Sequence, residues 1–406
     1  MNIALLHYTA HPVVGGVEHV MRAHSRMMVD AGHHVRIIAG RGDQVDPDVE
    51  FIRFPLADSR DPQVLAAKRH LDAGQVPDSF EHMTLGIAER LGPVLSRADW
   101  VFIHNVCSLN KNLPLTAALH QIASAQGAVR FCCWYHDLAW ATERYASELH
   151  AGNPWDLLRT PLPGADHVTI SNFRRSELST VFGIPEELIR VIPNGVDACT
   201  FLKLGSETGS ILSQFSLLEA VPLILMPVRV TPRKNIELGL RILGRLRTNF
   251  PRACLLVTGP VGPHNPHNVE YLEMLMRLQG ELGVGANTVF LTPTLGAPVS
   301  DEVLSDLYRA SDLVLLPSLE EGFGIPILEA GLAGVPVFCS EIAPFKELGS
   351  LDVRYFSPDA NPVDVAKRME AVLNESQQFR LRKRVLARYG WQRIYDHFLV
   401  PLMEGR

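Results

Sequence analysis

Short apolar runs alternate with helix-patterned stretches along this chain, and that alternation is what most limits its fold. In the first half, the runs lie at 3–7, 35–39, 51–54, 100–103, 128–134 and 167–170. Short apolar runs of this kind are typical of strands buried on both faces of a parallel sheet. The helical stretches between them supply the crossovers that parallel strands require. The sequence therefore predicts an α/β fold built on a doubly wound parallel sheet.

The second half repeats the pattern, with runs at 221–228, 253–258, 288–291, 312–317 and 335–339. A single core rarely grows beyond about 250–300 residues, so we expect two domains. The Gly- and Ser-containing stretch 204–210 is the most linker-like part of the chain. The predicted domains are residues 1–205 and 206–385, followed by a helical segment at 386–406. Ligands of open α/β sheets bind beyond the carboxyl ends of the strands, so two facing sheets would hold one between them.

Charge and composition exclude several classes of protein. The chain has 406 residues, with 38 basic and 44 acidic side chains and a net charge of −6. A general nucleic-acid-binding protein needs a basic surface, so we expect no nucleic-acid partner. Six cysteines form no CxxC pair, which excludes a zinc knuckle and a thioredoxin-type motif.

The sequence also bears on location. Cysteines within apolar runs are typical of reduced thiols in a cytoplasmic protein. The N-terminus lacks the basic region of a signal peptide. No apolar run reaches the roughly 18 residues needed to span a bilayer. We expect a cytoplasmic protein, and peripheral contact with the inner face of the membrane stays open because a local basic patch is compatible with a negative total charge.

The most informative stretch is PSLEEGFGIPILE at 317–329, which follows a predicted strand and begins a predicted helix. Gly322 and Gly324 leave backbone amides accessible at the helix N-terminus, where the dipole favours electron-rich oxygens. Glu321 and Glu329 are eight residues apart, about two helical turns, which predicts roughly the same helix face. Such a pair could bind hydroxyls on one extended ligand. The same spacing is common on solvated helices, so two surface carboxylates remain an alternative.

A basic loop follows the first strand of the second half, at 227–235. Arg229 and Lys234 suit a diphosphate, Arg by bidentate contact and Lys as a point charge. A loop that only aids solubility would contain the same residue types. Arg233 adds a third basic side chain, to which the sequence assigns no role.

From Leu313 to Val337 the sequence resembles the nucleotide-sugar motif of retaining glycosyltransferases of family 4. Those enzymes have the GT-B fold, two facing Rossmann-like doubly wound domains whose C-terminal helix returns to the first domain. Glu321 and Glu329 match the two glutamates of the motif. The resemblance is dense over 164–197 and 221–340 and thin over 41–128, where acceptor pockets in the family vary.

The resemblance implies roles for residues of the second half. Glu321 and three backbone amides would bind hydroxyls of the transferred sugar, and Glu329 would bind the ribose. The amides are those of Gly322, Phe323 and Gly324. Arg229 and Lys234 match the family's Arg and Lys and would bind the diphosphate. Asn235 stands where the family often has Gly, which affects only the loop conformation.

The resemblance extends to the first half. Gly15 and Gly16 resemble the N-terminal glycine loop, which the donor phosphate and the acceptor approach. His136, at the end of a predicted strand, matches a histidine near the reacting sugar. Asn194-Gly195 and Trp391 also resemble the family, and we interpret them as structural.

Together these features predict a retaining enzyme that moves a hexose from a UDP- or GDP-sugar to a hydroxyl of a sugar, small-molecule or lipid-linked acceptor. We expect no metal and no separate cofactor. The DxD at 46–48 lies in a proline-containing polar loop and predicts a turn, and His264 and His267 also lie in a polar loop.

Alternatives with the same fold remain at this stage. A phosphorylase, an epimerase and a catalytically silent sugar-nucleotide-binding subunit could share the architecture. A nicotinamide dehydrogenase is disfavoured, because no GxGxxG follows the first strand. The sequence leaves the oligomeric state open.

Overall fold

The computed structural model of the chain describes residues 1–125, 127–262 and 267–405. It divides into two compact units, one of residues 1–196 with 389 onward and one of residues 197–388. The predicted divisions, after 205 and after 385, differ from these boundaries by 205 − 196 = 9 and 388 − 385 = 3 residues. The reason is that the stretch predicted as a linker belongs to the second unit. There Leu204 packs against the core of that unit, and the Gly205 N–H donates to Asp306 at 2.7 Å.

Within the described residues, the first unit is built on a seven-stranded parallel sheet. Its strands are Asn2–Thr9 (β1), His34–Arg41 (β2), Val49–Arg53 (β3), Trp100–His104 (β4), Arg130–Tyr135 (β5), Asp166–Thr169 (β6) and Ile189–Val191 (β7). Its helices before residue 196 are Gly16–Asp30 (α1), Pro62–Asp72 (α2), Ser79–Leu95 (α3), Leu113–Ser124 (α4) and Asn172–Phe182 (α5). The spatial order β3-β2-β1-β4-β5-β6-β7 reverses direction between β1 and β4. That position is the topological switch point of the sheet.

The second unit has a six-stranded parallel sheet in its described part. Its strands are Leu223–Met226 (β8), Cys254–Val257 (β9), Thr288–Phe290 (β10), Leu313–Leu316 (β11), Val337–Ser340 (β12) and Arg354–Phe356 (β13). Its helices are Ala198–Phe201 (α6), Ser206–Gln214 (α7), Ile236–Leu246 (α8), His267–Glu281 (α9), Leu291–Leu295 (α10), Asp301–Ala310 (α11), Ile325–Ala333 (α12), Ala343–Gly349 (α13), Pro362–Glu375 (α14) and Gln377–Arg388 (α15). The order β10-β9-β8-β11-β12-β13 places the switch point between β8 and β11. Both sheets confirm the predicted α/β class.

Strand β1 shows why the apolar runs form buried strands. Successive side chains of a strand point to opposite faces of the sheet. Ala4 and Leu6 pack into one core cluster of the first unit, and Ile3 and Leu5 pack into another. Because both faces are covered by helices, an unbroken apolar run is needed and an alternating one would leave polar groups buried.

The C-terminal segment completes the first unit. Helices Trp391–Ile394 (α16) and Val400–Glu404 (α17) are joined by a π-helical turn and pack into the same cluster as Ile3 and Leu5. Gly195 lies directly against the Trp391 ring, since a Cβ added there would be 2.5 Å from it. The Val196 N–H donates to the Tyr389 carbonyl at 2.7 Å. These contacts confirm the predicted return of the C-terminus to the first domain, and they give Gly195 the structural role that was predicted for Asn194-Gly195.

A buried ion pair ties helix α15 to the start of strand β8. Asp312 accepts hydrogen bonds from the Leu223 N–H at 2.7 Å and from the Lys383 ammonium at 2.5 Å. The same ammonium donates to the Ala220 carbonyl at 2.9 Å. Burial lowers the pKa of Lys383, and Asp312 acts in the opposite direction. The carboxylate therefore depends on Lys383 for compensation of its charge.

Replacing Lys383 with Met should destabilise the second unit. The substitution leaves the Asp312 carboxylate buried without a cation, which typically costs about 3–5 kcal/mol. The measurement is urea unfolding of the full chain. Arg384→Met, which removes the neighbouring exposed cation of the same helix, is the control and should stay within about 0.5 kcal/mol of the parent. Equal unfolding midpoints for the two variants would show that the pair does not stabilise the unit.

Candidate active site

The two motifs of the second half meet at the switch point of the second sheet. β8 and β11 are hydrogen-bonded neighbours, so the loops after their carboxyl ends lie side by side. The Leu319 N–H donates to the Arg233 carbonyl at 2.8 Å. The Lys234 ammonium contacts the Glu321 carboxylate, although the two residues are 87 positions apart. Parallel pairing of the strands therefore joins the basic loop to the glycine-containing motif.

Glu321 is fixed by partners on both loops. Its carboxylate pairs with Lys234, and each of these two side chains is only 10% exposed. The Ser318 hydroxyl donates to Glu321 Oε1 at 2.8 Å, and the Arg233 guanidinium is 3.5 Å from Oε2. Burial lowers the pKa of Lys234, and the bond to Glu321 acts in the opposite direction. The pair is thus preorganised, and Arg233, which the sequence left without a role, contacts the same carboxylate.

The basic loop leaves an excess of positive charge. Arg229 is exposed, and the charges of Arg229 and Arg233 both act to lower the pKa of Lys234, so the three cations are close together. Among these three cations and the Glu321 carboxylate that pairs with them, the formal charges sum to 3 − 1 = +2. An excess of this size suits a doubly charged anion such as a diphosphate.

The loop that carries Arg229 is held against the loop after β9. The Val230 N–H donates to the Pro260 carbonyl at 2.9 Å. Gly259 has no room for a side chain, because a Cβ there would be 2.3 Å from the Val228 carbonyl oxygen. These contacts fix the backbone on either side of Arg229.

Helix α12 begins next to this charged cluster. Gly324 caps it with a φ of +111°, and an added Cβ would be 2.8 Å from the Phe345 ring. Phe323 is half exposed. The amides of Gly322, Phe323 and Gly324 thus precede the first turn of a helix, where the dipole favours anionic or electron-rich oxygens.

The prediction that Glu321 and Glu329 share one helix face was wrong. Helix α12 begins at Ile325, so Glu321 lies in the preceding loop and only Glu329 is helical. The helical spacing of eight residues does not apply across the Gly322–Gly324 loop. Neither carboxylate is a solvated surface group, since Glu321 is paired and Glu329 is half-buried.

Glu329 belongs to a neighbouring cavity. It accepts a hydrogen bond from the Tyr308 hydroxyl of α11 at 2.6 Å. Burial, and then the bond to Glu329, raise the pKa of Tyr308, so the phenol remains a donor. Both residues line a cavity of about 450 Å³ together with Ser305 and Leu332. The arrangement leaves carboxylate lone pairs of Glu329 for hydroxyl donors of a ligand.

In the first unit, Gly15 and Gly16 lie at the N-terminus of α1, directly after β1. Gly15 makes room for Glu18, whose carboxylate would be 2.1 Å from an added Cβ. Glu18 is buried and accepts from the Thr9 hydroxyl. Glu18 was not among the site residues predicted from the sequence. The signal was available, because a Glu at the third helical position is typical of a carboxylate that folds back over the helix start.

His136 follows β5 at the same edge of the first sheet, and it is 7% exposed. The side-chain oxygen of Asn105 accepts from the His136 N–H at 2.7 Å and from the Asp137 N–H at 3.2 Å. Asn105 has a φ of +58°, and it was also missed. An Asn directly after a buried strand was the available signal, since Asn tolerates this left-handed conformation. Burial lowers the pKa of His136 to about 3, so the ring is neutral.

The remaining sequence motifs behave as local structure. Residues 46–48 form the predicted turn, in which the Asp48 N–H donates to Asp46 at 3.1 Å and Arg26 pairs with Asp46 at 3.1 Å. His267 begins α9 and lies 3.0 Å from Glu270, and His264 lies outside the described residues. In the part of the chain that the structure describes, no three His, Cys, Asp or Glu side chains are grouped as metal ligands. Metal independence stays a prediction.

Comparison with known families assigns the chain. Residues 14–198 match the family described as Glycosyltransferase Family 4, and residues 212–388 match Glycosyl transferases group 1. The chain belongs to the family 4 glycosyltransferases, which have the GT-B fold, as the two doubly wound sheets and the returning C-terminus indicate. Membership of this family excludes the nicotinamide dehydrogenase, whereas a catalytically silent member of the family stays an alternative.

Three relatives illustrate the match. An uncharacterized glycosyltransferase of Methanocaldococcus jannaschii is 29% identical over 236 residues, 56% of this chain and 57% of that protein. The GDP-mannose-dependent alpha-(1-6)-phosphatidylinositol monomannoside mannosyltransferase of Mycolicibacterium smegmatis is 32% identical over 181 residues, 43% of this chain and 44% of that protein. The MMP alpha-(1->4)-mannosyltransferase of Mycolicibacterium hassiacum is 24% identical over 429 aligned positions, 97% of this chain and 96% of that protein. The chain thus spans about half the length of the first two relatives.

None of the described helices combines the length and the apolar character needed to cross a membrane.

Replacing Gly324 with Ala should disturb the candidate site by straining its backbone. The new Cβ would be forced into a left-handed conformation and against the buried Phe345 ring, a strain of about 1–3 kcal/mol. We expect a lower unfolding midpoint, measured by thermal unfolding. Gly322→Ala is the matched control, because an added Cβ there meets no described atom within 4 Å, chain neighbours aside. Equal behaviour of the two variants would contradict the backbone argument.

Proposed function

We propose that this glycosyltransferase is a retaining enzyme that transfers a hexose from a nucleoside-diphosphate sugar to an acceptor hydroxyl without a metal ion. The observation that carries the proposal is the cluster of Arg229, Arg233 and Lys234 around Glu321, beside the N-terminus of α12. The cluster combines an excess of positive charge with a fixed carboxylate and free backbone amides. A diphosphate attached to a hydroxyl-rich sugar requires all three.

The basic residues would stabilise the leaving group. During transfer, positive charge develops at the anomeric carbon and negative charge collects on the departing diphosphate. Preorganised donors aimed at such charge are worth roughly 3–4 kcal/mol each. Arg229 is exposed and available, whereas Lys234 is positioned by Glu321.

The two carboxylates, Glu321 and Glu329, would bind different parts of the donor. Glu321, with the amides of Gly322, Phe323 and Gly324, would bind hydroxyls of the sugar. Glu329 would accept from the ribose hydroxyls, with Tyr308 holding the carboxylate in place from α11. This division agrees with the separation of the two glutamates into a loop and a cavity.

Retention would follow from a same-face displacement, in which the leaving phosphate takes the proton of the attacking hydroxyl. No side-chain base is then required. His136 would contact the transferred sugar as a neutral group, which agrees with its burial and its lowered pKa.

The names of two relatives guide the choice of donor. One is described as GDP-mannose-dependent and another as a mannosyltransferase, so GDP-mannose is the first donor to test. UDP-glucose is the comparison donor. The acceptor would present a hydroxyl on a sugar, a small molecule or a lipid-linked glycan.

A donor panel tests the proposal. We expect one nucleoside-diphosphate hexose to raise the melting temperature of the purified protein equally with and without EDTA. At 100 times its dissociation constant, a ligand adds about 2.7 kcal/mol of stability. The anomeric configuration of the transferred sugar, determined by proton NMR of the product, should equal that of the donor. An EDTA-sensitive shift would contradict metal independence, and an inverted product would contradict retention.

Two substitutions should separate turnover from binding. Arg229→Gln should lower turnover by about 10²–10³-fold, because a donor to the developing charge is lost. Glu329→Gln should mainly weaken nucleotide binding, measured by calorimetry with the free nucleoside diphosphate. Arg245→Gln, an exposed substitution in the last turn of α8, is the control and should change neither. Full turnover in the Arg229 variant would remove the diphosphate assignment.

A further inference from the structure

Four histidines lie close together in the first unit, and the proposed reaction uses only one of them. His7, His24, His104 and His136 are all buried. The ring of His104 lies between two others, with its centroid 5.5 Å from that of His136 and 6.0 Å from that of His24. It also stacks on Trp134 at 5.6 Å. His104 is thus a wholly buried imidazole in contact with His136, the residue proposed to contact the sugar. No step of the proposed reaction explains why a histidine lies there.

The hydrogen bonds of His104 are incomplete. Its Nδ1 is 3.2 Å from Nε2 of His136. Its Nε2 is enclosed and makes no hydrogen bond within the described residues. Burial, with the nearby histidines, lowers the pKa of His104 far below its ordinary value, so the ring is neutral and has a single N–H.

Two arrangements of protons are consistent with the contact. If His104 had its proton on Nε2, a buried N–H donor would be left without an acceptor. If the proton is on Nδ1, Nε2 is an acceptor, and only its lone pair is left without a donor. Orphaned buried donors are rarer than under-satisfied acceptors. The geometry therefore favours His104 Nδ1–H donating to His136 Nε2.

Within the described residues, neither of the other two histidines makes a hydrogen bond to the ring of His104 or of His136. His7 donates from Nδ1 to the backbone carbonyl of His104 at 2.8 Å, which fixes its tautomer. His24 packs edge-on against Trp134 and Trp391, and neither of its ring nitrogens has a partner among the described residues. Burial lowers the pKa of His24 to about 3, so it is neutral as well.

Two carboxylates close to the histidines already have partners, Glu18 beside His7 and Asp137 next to His136 in sequence. Glu18 accepts from Thr9, and Asp137 lies 3.5 Å from Arg174. The backbone of the His136 loop is fixed separately by Asn105.

We infer that His104 is a positioning residue that fixes His136 in its Nδ1–H tautomer, so that His136 presents a hydrogen-bond donor to an oxygen of the transferred sugar. The Nδ1 of His136 makes no hydrogen bond within the described residues, which leaves it for a ligand. The role toward the sugar rests on the proposed function, whereas the tautomer is a property of the protein alone.

The first measurement concerns the tautomer and needs no substrate. Full-length protein labelled with ¹⁵N-histidine is examined by long-range ¹H–¹⁵N correlation NMR, and His136→Gln identifies the His136 signals. We expect His136 to be protonated on Nδ1 in the parent and in His104→Asn, because an Asn amide N–H can replace Nδ1–H. In His104→Leu the preference should be lost. Protonation of His136 on Nε2 in the parent would overturn the inference, even if the Leu variant does not fold.

The second measurement concerns the reaction. His104→Leu should lower turnover by about tenfold, the effect of one lost hydrogen bond to the reacting ligand, with unchanged nucleotide affinity. His104→Asn should restore turnover. Equal losses in two folded variants would overturn the inference, because a merely structural role predicts no rescue. Absence of transfer by the parent with every donor would instead contradict the proposed function and leave the tautomer result standing.

Discussion

The pairing of β8 with β11 is the constraint on which the candidate site of the second unit depends. Lys234 and Glu321 follow these strands and are 87 residues apart in sequence, and parallel pairing places the carboxyl ends of both strands at one edge of the sheet. At a switch point the helices following the two strands leave on opposite faces, so the loops between are free to converge. The buried Asp312, which accepts from the first N–H of β8, stabilises the same pair of strands from the other end. The contact between Lys234 and Glu321 thus depends on the backbone pairing of β8 with β11.

Much of the fold could be predicted because a strand buried on both faces of a sheet is an apolar run that is visible in the sequence. Apolar runs at 3–7, 100–103, 221–228 and 312–317 predicted β1, β4, β8 and β11. The short strands β7 and β13 were missed. Each has three residues and an exposed position, so neither contains a run long enough to stand out. The linker was also misplaced, because Gly and Ser at 205–210 form a helix start tied to Asp306.

The candidate site was predictable in its residue types and not in its geometry. Arg229, Lys234, Glu321 and Glu329 followed from a resemblance, but helical spacing placed the two glutamates on one face where a loop separates them. Gly322 and Gly324 were identified because they leave backbone amides accessible, and of the two only Gly324 has a positive φ, at +111°. Glu18 and Asn105 act through contacts with a neighbouring strand or loop. Such partners are set by tertiary structure, and one-dimensional spacing does not encode them.

The two units differ in the groups that they offer to a ligand, which are charged in the second unit and neutral hydrogen-bonding rings in the first. In the second unit, cations outnumber the carboxylate and Arg229 stays exposed, so the field is suited to an anion. In the first unit, burial keeps His24, His104 and His136 neutral, so their hydrogen-bonding depends on tautomers and not on charge. Burial alone does not explain the difference, because Lys234 and His136 are equally buried, at 8% and 7% exposure. Lys234 is paired with the Glu321 carboxylate, whereas His136 is paired with a neutral ring, that of His104. The same fold thereby supports charge compensation in one unit and directional hydrogen bonding in the other.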